Sequence, residues 1–356
     1  MNSFFLRPVY RTLFHLFVAL SIVRGSIATF ADDPVPPLFF GAPAKSLSFD
    51  SKGEFLAVGL ENVGLEPSVR IIDVKTRRVK ELKAVWLPAA DCVQFAFDGK
   101  LLAAGTWKPE IPVWDVGKSA TLRTFTTEFD GVTAIAFSPD GRWLASGGIK
   151  YFEKGQKIPP SMVLLHDVRT GQRVASIPLS HEATHLIFTP DGRRIIGAES
   201  FDSIFVVDIT ERAVIRRWEA LDANRIHVYG LSLSRDGKRL ASGGTDKKVR
   251  IWNPETAELL KMFEGHEDEI IAVALSPDGK YVASGGMDSW VWVREVETGR
   301  SVERFDYGTN RVYSLAFSPD GEWLVSGTAT GGVHFDRVAD FQFLNPKPKP
   351  IPAPQK

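Results

Sequence analysis

Apolar and polar residues alternate with a period of two along most of the chain, in short runs separated by turn-forming residues. IIAVALS at 270–276 and RVYSLAFS at 311–318 read as half-buried strands. The Pro-Asp-Gly that follows is a tight turn whose glycine takes positive φ, and KYVASGG at 280–286 returns as a second strand. After a break comes a third strand, VRIWN at 249–253 or IPVWD at 111–115. A fourth follows it: AELLKMF at 257–263, GRSVERF at 299–305 or GQRVASI at 171–177. No helical periodicity intervenes.

The pattern recurs. Turn glycines stand at Gly53, Gly99, Gly141, Gly192, Gly237, Gly279 and Gly321, spaced 42 to 51 residues apart. Seven units of four strands each predict an all-β fold, a seven-bladed β-propeller of four-stranded antiparallel blades over residues 38–344.

The repeated SPDGK-x-LASGG, the third strand ending in Trp114-Asp115 or Trp252-Asn253, and Gly265-His266 ahead of the next turn resemble WD repeats. That resemblance implies a rigid, non-enzymatic platform for protein complexes. It also implies a network inside each blade that joins a loop His, a second-strand Ser or Thr, a turn Asp and the third-strand Trp. Unit five supplies Ser242, Asp246 and Trp252, with Asn224 near the His position. Unit six supplies His266, Ser284 and Asp288, with Arg294 in place of the Trp. Elsewhere the closing dipeptide has drifted to Ile72-Asp73, His166-Asp167, Val207-Asp208 and Phe335-Asp336.

One stretch points elsewhere. HEATH at 181–185 matches H-E-x-x-H, in which two imidazoles reach one zinc only from the same face of a helix. Here it falls at the loop and opening residues of a first strand, where residues four apart are separated by about 13 Å. The expectation is a loop His and a strand His, with no metal, no cofactor and no catalytic residue. No G-x-S-x-G elbow or phosphate-cradling loop is present, and the recurrent Asp140, Asp191, Asp236, Asp278 and Asp320 are assigned to turn capping. The rival class is a propeller hydrolase or lactonase with carboxylates or His in its central channel.

Composition narrows the partners. With 43 basic and 43 acidic residues there is no charge excess to favour nucleic acid. KTRRVKELK at 75–83 is read as charge that protects an outer edge. Residues 1–31 place Arg7 and Arg11 before an apolar run and small-residue endings, the order of a signal peptide, with an uncleaved membrane anchor as the alternative. The expectation is an exported (periplasmic or secreted) protein, monomeric and not inserted in the membrane after cleavage. Its single cysteine, Cys92, is expected buried and inert.

Departures from the period mark candidate function. Insertions between second and third strands fall at 60–68 and 149–162; the resemblance to WD repeats implies that these loops share one face with the connections between units. Loops on a rigid scaffold carry binding. Trp107, Tyr151 and Phe152 are the candidate anchors, with Lys108, Glu110, Lys154 and Lys157 around them, for an unidentified protein partner. Two segments compete for the outer strand of the last unit, Leu38–Phe40 and Phe341–Leu344, and register favours the second. Residues 345–356, rich in Pro and Lys, are expected to be an extended tail.

Overall fold

In the second and third strands of a unit nearly every residue is buried, as in Leu240–Gly244 and Val249–Asn253. Such strands need cover on both faces. A computed structural model shows how they obtain it. It describes residues 36–61, 68–81, 89–151, 161–201, 203–220 and 227–341, all within the unit that begins at Val35. Seven four-stranded antiparallel sheets stand in a ring, each lying between two others. Naming the strands of each blade a to d outward, the innermost strands a are Ala44–Phe49, Cys92–Phe95, Gly131–Phe137, Ala183–Phe188, Val228–Leu233, Ile270–Leu275 and Val312–Phe317.

The core lies between blades. One cluster joins Val69 and Ile71 of blade one to Phe95, Leu102 and Trp114 of blade two. Another joins Leu56 and Ile72 of blade one to Val325, Val333 and Phe335 of blade seven, so the last interface is built like the rest. Burial therefore accumulates only as neighbours stack, the energetic signature of a repeat protein. Around the axis, polar side chains of strands a bond to the next blade. Ser46 Oγ accepts from Val93 N at 3.1 Å, Gln94 Oε1 from Phe137 N at 2.7 Å, and Ser232 Oγ from Leu275 N at 2.9 Å. Thr133 donates to the Ala183 carbonyl at 2.9 Å, and Ser314 of blade seven to that of Ala44 in blade one at 2.8 Å.

Each turn glycine has positive φ, from 68° at Gly192 and Gly279 to 76° at Gly321, as the Pro-Asp-Gly pattern requires. The turn aspartates cap as expected: Asp140 Oδ1 accepts from Arg142 N at 3.0 Å and Asp278 Oδ1 from Lys280 N at 3.0 Å. They also accept from the hydroxyl two residues earlier, Ser276 to Asp278 at 2.6 Å and Ser234 to Asp236 at 2.7 Å. The Thr189 and Ser234 hydroxyls hold the Asp191 and Asp236 carboxyls below the usual carboxylate range.

One expectation is corrected. The outer strand of blade seven is Leu38–Phe39, paired with Val333 and Gly332. Pro36 and Pro37 precede it, and proline has no N–H to extend a ladder, so the pairing stops after two residues. After the third strand comes a short 3-10 turn, Val338–Asp340, and Phe341, the first residue of the C-terminal candidate, packs on Phe305 with ring centroids 6.1 Å apart. Residues 342–356 lie outside the described set. The basic stretch at 75–83 also does more than guard an edge. Arg77, at φ 59°, lays its guanidinium 3.5 Å from the Phe335 ring of blade seven, and Lys80 Nζ donates to the Val116 carbonyl of blade two at 2.9 Å. Both clamp blade one to a neighbour.

Candidate functional site

Strand a enters each blade from the connection between blades, and strand b returns to the same end, so one face carries those connections and the b–c turns. Close to that end a β-bulge interrupts strand a in six blades, at Lys45, Thr133, Thr184, Tyr229, Ile271 and Tyr313. A bulge leaves one residue outside the ladder and re-aims its side chain. In blade two the ladder starts at Cys92, and Asp91 occupies the equivalent position. All seven lie eight residues before their turn glycine, and all seven line the mouth of a central channel of about 640 Å³. Glu61, Trp107 and Met287 line it as well.

The mouth is polarised. Blades one and two contribute Lys45, Glu61 and Asp91; blades five to seven contribute Tyr229, Ile271 and Tyr313. Lys45 Nζ is 3.1 Å from Glu61 Oε2 and lies 4.4 Å from the Tyr313 ring centroid, so its charge is already engaged. Asp91 accepts no hydrogen bond from a described residue. Burial pushes its carboxyl up to about 6; Lys45 opposes the rise and Glu61 adds to it. Trp107 is 48% exposed, and its ring crosses Gly131, where a Cβ would meet its Cε3 at 3.4 Å. Deeper in the channel, burial pushes the His185 imidazole down to about 4 and the Cys92 thiol up to about 12. Cys92 Sγ faces the Val132 carbonyl at 3.8 Å.

Of the anchors expected from sequence, Trp107 stands at the mouth, with Lys108 next to it in an isolated bridge to Thr106. Glu110 opens strand c of blade two, exposed and opposite Thr126. Tyr151 is 67% exposed outside the channel lining, with its N–H donating to Asp130 Oδ2 at 2.6 Å. Phe152, Lys154 and Lys157 lie outside the described residues, as do most of both insertions. The ring of mouth residues was not found by reading single motifs. A constant offset from the turn glycine would have revealed it.

The blade network is present in different degrees. In blade six His266 joins Asp288 through Nδ1 at 2.7 Å and Ser284 through Nε2 at 2.8 Å. Burial raises Asp288, but the His266 bond and charge outweigh it and hold the carboxyl below its usual range. Arg294, in the Trp position, donates to the Glu264 carbonyl at 2.8 Å and stacks on Trp292 at 4.7 Å. In blade five Trp252 Nε1 donates to Ser242 Oγ at 2.8 Å, and Asp246 pairs with Arg250 at 2.6 Å. Asn224 lies outside the described residues. In blade two Trp114 is buried, but its indole N–H has no partner among the described residues, because Ala104 stands where blade five has Ser242. Asp115 accepts from Lys118 N at 3.0 Å, and that bond lowers its pKa.

Two substitutes were not foreseen. Tyr307 takes the His role in blade seven, its hydroxyl 2.7 Å from Ser326 Oγ. In blade four the fully buried Glu199 accepts from Ser180 N at 3.0 Å, Ser203 Oγ at 2.9 Å and Arg217 Nη2 at 2.9 Å.

HEATH is not helical. His185 lies within the strand Ala183–Phe188, whereas His181 precedes it and packs on Phe201, with ring centroids 5.1 Å apart. Among the described residues no three His, Cys, Asp or Glu side chains are grouped to hold a metal ion.

The family model "WD domain, G-beta repeat" matches residues 119–149, 221–253, 257–294 and 299–335. The chain is 28% identical over 168 residues to "Small ribosomal subunit protein RACK1y" of Oryza sativa subsp. japonica, covering 45% of this chain and 46% of that one. It is 26% identical over 163 residues to "WD repeat-containing protein SL1-17" of Schistosoma mansoni, covering 46% and 50%. It is 21% identical over 249 residues to "Transducin beta-like protein 3" of Rattus norvegicus, covering 65% and 29%. The chain thus spans half or less of the length of these relatives.

Proposed function

We propose that this seven-bladed propeller, four stretches of which match the WD-repeat model, is an exported scaffold that binds a protein partner through the face carrying the channel mouth and the b–c turns. The observation that carries this reading is the exposed Trp107 indole on the rim of a polarised cavity. A large aromatic, half open to solvent on a rigid support, is the kind of residue that anchors interfaces. The support is rigid because each blade is packed on two others, so little ordering cost is incurred on binding. A WD-repeat relative whose name places it in the small ribosomal subunit fits a part that docks on a larger assembly. Export is supported by the order of charged, apolar and small residues in 1–31, which lie outside the described residues.

The experiment is affinity purification from the compartment of origin with the wild-type chain, Trp107→Ala, and a chain shortened within 149–162. Wild type should retain a defined partner, and Trp107→Ala should lose it. An undiminished partner set in both altered chains refutes the assigned face. Immunoblotting of cell fractions, with and without residues 1–31, tests export independently.

A further inference from the structure

The channel mouth has a charge that its own residues leave unanswered. Lys45 is committed to Glu61 and to the face of Tyr313, whereas Asp91, set beside them, receives no hydrogen bond from a described residue. Among the described residues that line the channel, two carboxyl groups, Glu61 and Asp91, face one lysine. Tyr313 lies against Lys45, Tyr229 and Ile271 continue an apolar and aromatic wall through blades five and six, and Trp107 lies at the rim. A carboxylate in a cavity with an aromatic wall complements a cation on an aliphatic stem: the charge meets the carboxylate and the stem lies on the rings.

We propose that the mouth takes a single basic side chain, Arg or Lys, projecting from the protein partner, with Asp91 as its principal acceptor. This rests on the reading of the face as a protein-docking surface and names what is recognised there. A partner carboxylate is disfavoured, because it would have to displace Glu61 from Lys45 in front of Asp91. The device has a built-in pH dependence. Of the groups facing Asp91, His185 is held neutral by burial above about 4, the Cys92 thiol is protonated below about 12, and the Tyr229 phenol is raised by burial and by Glu269. Lys45 and Glu61 form the adjacent ion pair, and Tyr313 lies beneath it. Asp91, with its carboxyl at about 6, changes charge between pH 7 and pH 5.

The test uses the full chain and three capped tripeptides, Ala-Arg-Ala, its citrulline twin of equal size and no charge, and Ala-Glu-Ala, read by titration calorimetry and tryptophan fluorescence. Ala-Arg-Ala should bind, and the citrulline and glutamate peptides should bind at least about tenfold more weakly, the scale of one charge-assisted contact. Asp91→Asn should lose about tenfold for the arginine peptide while keeping a cooperative melt. Moving wild type from pH 7 to pH 5 should weaken binding by about tenfold, following the ionised fraction of a group near 6, with no such change in Asp91→Asn. Equal binding of arginine and citrulline, undiminished binding by Asp91→Asn, or no binding at peptide concentrations up to several mM each overturns the proposal. The two readings separate cleanly. If Trp107→Ala loses the native partner while Asp91→Asn keeps it and keeps the arginine peptide, the face stands and the cation pocket falls.

Discussion

Blades six and two share one architecture but differ in how far their network positions are bonded to one another. In blade six the network positions answer one another: His266 lies between Asp288 and Ser284, and Glu267 N adds a further bond to Asp288 at 3.1 Å, while the Trp292 indole N–H, outside that network, has no partner among the described residues. In blade two the Trp114 indole N–H is buried without a partner among the described residues, and Asp91 has no donor from them. A sealed network fixes the turn and the loop ahead of it, so blade six is a structural element. Blade two keeps unspent hydrogen-bonding capacity at Asp91, beside the exposed Trp107. This deviation from the repeat's internal chemistry is the feature on which the proposed partner contact rests.

The largest effect expected of breaking this contrast is at His266. His266→Ala leaves Asp288 and Ser284 buried without their shared partner and should cost about 2–3 kcal/mol in denaturant unfolding. A loss below about 0.5 kcal/mol would show the network to be incidental. Next is the repair of blade two: Ala104→Ser puts a hydroxyl where Ser242 serves Trp252, and should stabilise by about 1 kcal/mol if it satisfies the Trp114 indole. The same change paired with Trp114→Phe should yield no gain.

Asp91 gives a comparable effect with a defined pH window. Its folded carboxyl sits at about 6, above the ordinary value of 3.8, so between those values the native state holds more protons than the unfolded one. Stability then falls as pH rises from about 4 to 6. Asp91→Asn should remove that component of the slope and stabilise the chain at pH 7 by about 1 kcal/mol, measured by thermal melts across this range. The smallest effect on folding is at Trp107, where Ala should change stability by less than about 0.5 kcal/mol yet abolish partner capture. Loss of folding there would mean the indole serves the core.

Much of this contrast was legible in the residues. His266, Ser284 and Asp288 stand at the spacing the resemblance implies, and the seven turn glycines fix every strand a. The same anchor leads to Lys45, Asp91, Thr133, Thr184, Tyr229, Ile271 and Tyr313, one per blade, yet nothing in a single repeat says that this position faces the axis. That follows from the bulge, a feature of strand pairing. Tyr307 and Glu199 were illegible for a related reason. Tyr307 puts a phenol where blade six has an imidazole, Glu199 stands at a position that is glycine in blades five and six, and only the distances to Ser326 and Ser203 show what they bond.

Ring closure marks the division most clearly. Local periodicity, alternation and turn chemistry determine that there are strands, that they come in fours and that the unit occurs seven times, because these depend on residues close along the chain. Which terminus completes the last blade depends on contacts between ends some three hundred residues apart. There Leu38–Phe39, shortened by the prolines at 36 and 37, take the edge, and the described chain after the third strand runs into the 3-10 turn at Val338–Asp340. The same holds for the channel mouth. Its charge and its aromatic wall come from different blades, and only closure of the ring sets Lys45, Asp91 and Tyr313 around a single opening.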